Sequence, residues 1–211
     1  MLVSDSTDQN GAPIKDLTIR EFLDALGSKS PTPGGGASAG LCAAIGAAQA
    51  RMVLNFTIGK AKYEAYEAEN LARLDQLIAL ESEALIACDR DAHAYSKLNA
   101  LWGLNKDDPE RVKNWDSAVQ GAIDAPRSLL HACARIARIL DGCCGTTNRM
   151  LRSDLGVSAA LIRGAAQSAS WNIRINLPLL DDDARARIGS ESSEELEQIE
   201  QLCARVEERC A

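Results

Sequence analysis

Aromatic side chains are scarce in this sequence: Phe, Trp and Tyr make up 4% of 211 residues, whereas 46% of the residues are hydrophobic. A core must therefore be built from aliphatic and small side chains, which favours helices that pack closely. With 25% charged residues and 46% hydrophobic residues, the composition excludes an intrinsically disordered chain. We expect one globular domain, or at most two small ones, with a sizeable core.

Several targeting and binding signals are also missing. The longest apolar candidate for a membrane span, residues 34–56, is interrupted by Arg51 and Asn55. Residues 1–13 are polar and acidic and lack the basic start and apolar centre of a signal peptide. The seven cysteines are odd in number and show no C-x-x-C spacing, so neither a disulfide framework nor a metal site is predicted. We expect a soluble cytoplasmic protein.

Positive charge is in deficit, because 23 Lys and Arg residues stand against 30 Asp and Glu residues, for a net charge of −7. Nucleic acids and anionic membranes are themselves negative, so this balance argues against either as the main partner. An anionic ligand would have to find a local group of basic residues.

Helical periodicity runs along the chain, and no segment gives a convincing strand. Residues 30–36 are expected to form a loop, because two prolines and three glycines disfavour a helix. We predict an all-α protein with five or six helices and no sheet, in which residues 1–16 are a flexible segment and residues 17–211 form one domain. The predicted helices cover residues 17–26, 37–55, 63–102, 113–140, 153–176 and 190–210.

Three consecutive glycines, Gly34, Gly35 and Gly36, follow Pro33 and open a helix rich in Ala and Gly. Such glycines expose backbone N–H groups at the positive end of a helix dipole, where a ligand oxygen could bind. The alternative, which the pattern alone favours, is a tight turn that allows helices to cross. A P-loop is excluded, because the Gly-Lys-Ser/Thr ending is missing and no strand precedes the glycines.

Asp91 falls in the middle of an apolar arc of its predicted helix, whereas Asp89 points nearly opposite. A carboxylate on an inward face needs partners or a raised pKa, and both suit a general base or a group that stabilises a cation. A buried ion pair is an equally good interpretation. His93 and His131 lack catalytic spacing, and we interpret both as structural.

Two further pairs of polar residues are candidates for ligand binding. Lys60 and Lys62 lie at a predicted bend of the chain and could recognise carboxylates, although exposed lysines at helix junctions are common. Asn172 and Asn176 lie one turn apart on a polar stripe that also includes Asp154. Buried amides must be hydrogen-bonded, so the two asparagines either satisfy each other and neighbouring carbonyls or read the edge of a heterocycle.

Several motifs follow one another in order along most of the chain. They are Thr32-Pro-Gly-Gly-Gly36, Thr57-Ile-Gly-Lys-Ala-Lys-Tyr63, Asp91-Ala-His-Ala-Tyr95, Ala125-Pro126, and Asn148 with Ser153-Asp154 and Asn172-Ile-Arg-Ile-Asn176. Together they resemble the cyclodeaminase/cyclohydrolase family of folate enzymes. The chain departs from the family at Ala37, where a Ser is usual, and at Asn105, where a Pro is usual.

The resemblance implies an orthogonal helical bundle that forms a homodimer and hydrolyses 5,10-methenyltetrahydrofolate to 10-formyltetrahydrofolate. The reduced folate is then the substrate, and neither a metal nor another cofactor takes part. Catalysis is implied at Asp91, assisted by Lys60. The substrate-binding residues implied are Pro33, Gly34, Gly35, Gly36, Lys62, Tyr95, Asn148, Asp154, Asn172 and Asn176.

Two alternatives stay open at this point. The same fold could catalyse cyclodeamination of 5-formiminotetrahydrofolate with release of ammonia, although this chain carries no formimino-transferring domain, which favours hydrolysis. The chain could also be a helical dimerisation scaffold without activity. The presence of Asp91, Lys60 and the intact glycines speaks against a scaffold.

Overall fold

A computed structural model describes residues 13–211 as a bundle of six α-helices joined by short loops and 3-10 turns, with no strand in that range. The all-α class and the predicted number of helices are confirmed. The helices are α1 (Ile19–Leu26), α2 (Gly35–Asn55), α3 (Glu67–Trp102), α4 (Pro109–Cys143), α5 (Arg152–Asn176) and α6 (Asp182–Cys210).

The chain before α1 belongs partly to the packed domain. Residues 1–12 of the predicted flexible segment lie outside the described residues, but Ile14 is 3% exposed and packs with Phe22. The backbone N–H of Ile14 donates to a carboxylate oxygen of Asp89 at 2.7 Å. The domain therefore begins before the predicted boundary at residue 17, because an apolar side chain and a hydrogen bond tie this segment to α3.

Two helices begin earlier than their apolar periodicity indicated, and capping residues explain both starts. Asp181 caps α6 by accepting a hydrogen bond from the backbone N–H of Ala184 at 2.8 Å, well before the predicted start at residue 190. Asp108 caps α4 in the same way, followed by Pro109 in the first turn, where proline is tolerated. Pro126 lies inside α4 without ending it.

The core is organised around α2, which packs between α3 and α5, while α4 closes the opposite side and α6 packs on α4 and α5. The buried residues of α2 are mostly alanines and glycines. A Cβ atom at Gly40 would lie 2.7 Å from the carbonyl oxygen of Ala84 in α3, and one at Gly46 would lie 2.8 Å from Ile162 in α5. Small residues therefore let both neighbours approach the backbone of α2.

By length and composition alone, α2 could cross a membrane. However, 56% of its most apolar window is buried against the rest of the protein, as expected of a helix at the centre of a soluble bundle. The expectation that the protein has no membrane partner stays a prediction.

The close contact at Gly40 predicts that Gly40→Ala destabilises the fold, because the added methyl group meets backbone and the Cys88 sulfur, and overpacking costs about 1–3 kcal/mol. The matched control is Gly121→Ala in α4, where nothing lies within 4 Å of the added atom. That variant should be unchanged or stabilised by up to ~1 kcal/mol, since alanine favours a helix. Thermal unfolding of both variants tests this, and equal melting temperatures would contradict it.

Candidate active site

A cavity of about 300 Å³ opens at the end of the bundle where α2 begins. It is enclosed by the loop before α2, the C-terminal half of α3, the middle of α4 and the end of α5. This volume suits a small molecule or one end of a larger ligand. Six of the residues predicted from the sequence line the cavity: Gly34, Gly35, Asp91, Tyr95, Asn172 and Asn176.

Asp91 sits directly against Gly36, and this contact explains the third glycine. A Cβ atom at Gly36 would overlap the carboxylate of Asp91. Because Gly36 has no side chain, it leaves room for the Asp91 carboxylate, whereas Gly34 and Gly35 line the cavity itself. The close approach of two helices that the turn interpretation expects is thus observed at Gly36, while ligand binding by the N–H groups of the loop stays a prediction. Pro33 is buried in the same loop and does not line the cavity.

Burial raises the pKa of Asp91 to about 6, because the charged carboxylate is partly removed from water. No described residue forms an ion pair with Asp91, and the side chains that line the cavity include no Lys, Arg or His. The buried ion pair considered from the sequence is thus not found in the described part of the chain. The cavity holds one acidic group and no positive charge of its own.

The two asparagines of α5 bind backbone carbonyls through their amide nitrogens. The Nδ2 group of Asn172 donates to Ser168 O at 2.9 Å, and that of Asn176 donates to Ala122 O at 3.1 Å and to Asn172 O at 3.0 Å. Their Oδ1 atoms receive no hydrogen bond from the described residues. Asn176 therefore joins α5 to α4, Asn172 bonds within α5, and the two amides leave two oxygen acceptors for a ligand.

The apolar wall of the cavity includes residues that the sequence analysis did not propose as binding residues. Leu98 and Trp102 follow Asp91 at helical spacing on α3, and Ile175 of α5, which is 74% exposed, also lines the cavity. The arc shared by Asp91, Leu98 and Trp102 was visible as a helical pattern. It indicated packing, because periodicity does not distinguish a core from a cavity wall.

The remaining predicted residues lie at the other end of α2. Lys60 and Lys62 are exposed just after α2 ends, and the Nζ atom of Lys62 is 5.7 Å from the centre of the Tyr63 ring. Since α2 has 21 residues and a helix rises about 1.5 Å per residue, its two ends are roughly 30 Å apart. The structure therefore does not bring Lys60 to Asp91 within one chain, and motif order could not reveal this.

Asn148 and Asp154 share that far end and make structural contacts there. The Asn148 side chain accepts a hydrogen bond from the backbone N–H of Met150 at 3.2 Å, which caps a 3-10 turn. Asp154 accepts from the amide of Gln49 at 2.8 Å, joining α5 to α2. Within residues 13–211, no group of three or more His, Cys, Asp or Glu side chains is placed to hold a metal ion. The expectation that no metal takes part stays a prediction.

The family is decided by comparison with known proteins. The family model described as formiminotransferase-cyclodeaminase matches residues 18–195. The chain belongs to this family. Its relatives include the methenyltetrahydrofolate cyclohydrolase of Methylorubrum extorquens, which is 32% identical over 191 residues, with 89% of each chain covered. The resemblance predicted from the sequence is confirmed.

Other members of the formiminotransferase-cyclodeaminase family extend the comparison. The formimidoyltransferase-cyclodeaminase of Sus scrofa is 31% identical over 202 residues, and the alignment covers 92% of this chain but 37% of that longer relative. The crystal structure of formiminotetrahydrofolate cyclodeaminase from Thermotoga maritima matches with a TM-score of 0.83 and 28% identity, covering 93% of this chain and 96% of the other. The fold is therefore shared over nearly the whole chain.

The raised pKa of Asp91 predicts that Asp91→Asn stabilises the folded protein at about pH 8. Because the native state holds this proton more tightly than the unfolded state, wild-type stability falls as pH rises from 3.8 to about 6. The gain from Asp91→Asn should grow across that window and level off above it, reaching up to ~3 kcal/mol. Urea unfolding at several pH values measures it.

The control is Asp89→Asn, which removes a carboxylate that accepts a hydrogen bond from Ile14 and should give no such gain. A stability difference between Asp91→Asn and wild type that does not change with pH would contradict the assignment.

Proposed function

We propose that this protein is a methenyltetrahydrofolate cyclohydrolase that converts 5,10-methenyltetrahydrofolate into 10-formyltetrahydrofolate. The observation that carries the proposal is the isolated carboxylate of Asp91 in a cavity lined by apolar groups and amide oxygens, with no basic side chain in the lining. The relative in Methylorubrum extorquens bears the name of this activity and aligns over 89% of both chains.

Charge complementarity favours this substrate. The methenyl bridge carries a positive charge shared by the two nitrogens that flank its carbon, and it needs a negative partner when it leaves water. Asp91 is the one charged side chain among the described residues that line the cavity. In a partly desolvated site, attraction between the carboxylate and the cation is stronger than it would be in bulk water. The cation in turn favours the ionised form of Asp91.

The hydrolysis follows from this placement. A water molecule adds to the methenyl carbon while Asp91 removes one of its protons. The C–N5 bond then opens as N5 takes that proton from Asp91, the hydroxyl of the adduct releases its own proton to solvent, and the formyl group stays on N10. A pKa of about 6 keeps the carboxylate largely ionised at neutral pH and still basic enough to accept a proton. General-base catalysis of this kind contributes about 10²–10⁴-fold. The step requires neither a metal nor a redox cofactor, and we place it in the cytoplasm.

The remaining groups of the cavity suit the flat, polar-edged ring system of a reduced folate. The free Oδ1 atoms of Asn172 and Asn176 can accept hydrogen bonds from the N–H groups of the pterin. Trp102, Leu98 and Ile175 supply apolar surface for its faces. The Tyr95 hydroxyl is a further donor at the wall of the cavity.

Cyclodeamination of 5-formiminotetrahydrofolate is the second candidate, because the solved relative from Thermotoga maritima bears that name. In that reaction N10 attacks the formimino carbon and ammonia leaves, so the methenyl compound is the product. Incubation with each folate separates the two reactions. Loss of the methenyl chromophore indicates hydrolysis, whereas its appearance together with ammonia indicates deamination.

For turnover of 5,10-methenyltetrahydrofolate, we expect Asp91→Asn to lower kcat by about 10²–10⁴-fold, because the base is lost. The variant should keep its fold and its binding of neutral tetrahydrofolate, measured by calorimetry. The control Asp124→Asn alters an exposed acid whose carboxylate accepts from Gln120 at 2.8 Å, and it should leave kcat unchanged. Near-normal turnover of Asp91→Asn would remove Asp91 from its role, and no binding of any reduced folate by wild type would favour a scaffold.

We also propose that the protein works as a homodimer through an apolar face formed by α2 and α5. Trp171 and Ile175 are 70% and 74% exposed, and Val157 is exposed on the same side of α5. Ile45 and Phe56 are exposed on neighbouring α2. An apolar surface that runs the length of two helices marks an interaction site. The small residues of α2 and α5 at the centre of this surface would let the two helices of a second subunit approach closely.

A two-fold axis that lies in this face and runs perpendicular to α2 would exchange the ends of α2. An isologous interface places the same surface of each subunit against the other, and with this axis the two copies of α2 run antiparallel. The glycine end of one subunit, with Asp91, would then face the lysine end of its partner. Lys60 of the partner subunit would thereby reach the cavity that Lys60 of the same chain cannot reach, and it could hold an anionic part of the folate.

A mixed dimer tests the shared site. The Asp91→Asn variant and the Lys60→Ala variant should each be inactive or weakened alone. When the two are co-expressed with separate tags, activity should recover, because a heterodimer contains one site with native Asp91 and native Lys60. In the heterodimer purified through both tags, one of the two sites is native, so its specific activity should reach about half that of wild type. Specific activity of the co-purified protein is the measurement, and no recovery above either variant alone would contradict a shared site.

Val157→Arg is the matched disruption of the dimer face and should give monomers with low activity, because it buries a charge in an apolar interface. Val112→Arg introduces the same change at a position of α4 that is 65% exposed and lies off this face. It should leave both the mass in light scattering and the activity unchanged. A monomeric wild type with full turnover would overturn the dimer.

A further inference from the structure

Two of the seven cysteines come together at the end of the bundle opposite the cavity of Asp91. Cys144 follows the last residue of α4, and Cys210 is the last residue of α6. The Cys144 thiol donates to the carbonyl oxygen of Leu140 at 3.6 Å, and Cys210 lies close enough to influence the pKa of Cys144. Both line an open pocket of about 380 Å³. Residues far apart in sequence thus bring two thiols to one pocket, Cys210 half-buried and Cys144 9% exposed.

Other cysteines lack this combination of proximity and access. Cys143, next to Cys144 in sequence, is fully buried, with 0% exposure. Cys133 and Cys203 lie close enough to influence each other, but each is also 0% exposed in the core. Half-buried Cys42 influences Cys133, but Cys133 is closed to solvent, so among the described cysteines Cys144 and Cys210 are the neighbouring pair that lines one pocket.

The surroundings hold the pair and assign the two thiols different roles. The guanidinium of Arg209 donates to the carbonyl oxygen of Cys144 at 2.7 Å, which fixes the end of α6 against the end of α4. Burial raises the pKa of Cys210, but the neighbouring Cys144 thiol and the charges of Arg152 and Arg209 oppose this rise. Burial also raises the pKa of Cys144, to about 11. Cys210 is half-buried whereas Cys144 is buried, so Cys210 is the thiol that an oxidant in solution meets first.

We propose that Cys144 and Cys210 form an oxidant-responsive disulfide that joins the end of α6 to the end of α4. Hydrogen peroxide is the oxidant. The Cys210 thiolate attacks one peroxide oxygen, the O–O bond breaks, and a sulfenic acid and water result. The Cys144 sulfur then attacks the sulfenic sulfur, the S–O bond breaks, and a second water leaves. Two thiols are oxidised to one disulfide while peroxide is reduced to two waters.

This modification is independent of the proposed folate chemistry, because the pair lies at the end of the bundle opposite Asp91. The cross-link closes a long loop between α4 and α6 and limits the unfolded chain more than the folded one. The oxidised protein should therefore melt at a higher temperature than the reduced protein. The rise should vanish on reduction with dithiothreitol.

Thiol counting on the full chain tests the proposal. After mild peroxide treatment, unfolding in denaturant and alkylation with N-ethylmaleimide, intact-mass spectrometry should show that two of the seven thiols of wild type no longer react. Cys143→Ser, which changes only the buried neighbour, should still lose two thiols. In the Cys144→Ser variant and in the Cys210→Ser variant, no thiols should be lost to an intramolecular disulfide.

The outcomes against the proposal are equally defined. A wild type in which all seven thiols still react after peroxide overturns it. So does a Cys144→Ser variant that still forms an intramolecular disulfide, because another pair would then be responsible. If Cys144→Ser does not fold, Cys210→Ser at the end of α6 gives the same test without altering the end of α4.

Discussion

The desolvated carboxylate of Asp91, packed against the bare backbone of Gly36, is the contact on which the site depends. An acid at this depth is tolerable only because the glycine leaves room for it and because the cavity keeps one side of it open. Partial burial raises the pKa of Asp91 to about 6, and the lining offers no cation in compensation. Within one chain, the site therefore suits the positively charged substrate that we propose for it.

The small residues of α2 make this arrangement possible. At Gly40 and Gly46 the helix meets its neighbours through backbone and methyl-sized surfaces, so α3 and α5 come close on both sides. That closeness brings Asp91 of α3 and Asn172 of α5 to the same glycine loop. A composition poor in aromatic residues is thereby linked to function, since bulkier side chains in α2 would separate the walls of the cavity.

Much of the fold followed from local patterns, whereas the site followed only in part. Helical periodicity located all six helices, and the inward position of Asp91 was correct, because both depend on spacing within one helix. The starts of α4 and α6 were missed where caps rather than apolar residues define the first turn. Lys60 was assigned to the same cleft as Asp91, but the length of α2 separates them, and sequence order contains no information about which end of a bundle a residue occupies. The proximity of Cys144 and Cys210 likewise depends on tertiary packing alone.

The lack of any basic side chain in the lining of the cavity has a consequence for release of the product. In the proposed reaction the acid attracts a methenyl cation, whereas the formyl compound that forms is neutral at the same carbon. The attraction between Asp91 and the reacting carbon therefore ends with the reaction. The hydrolysis itself cancels the charge that brought the substrate in, which favours release of the product.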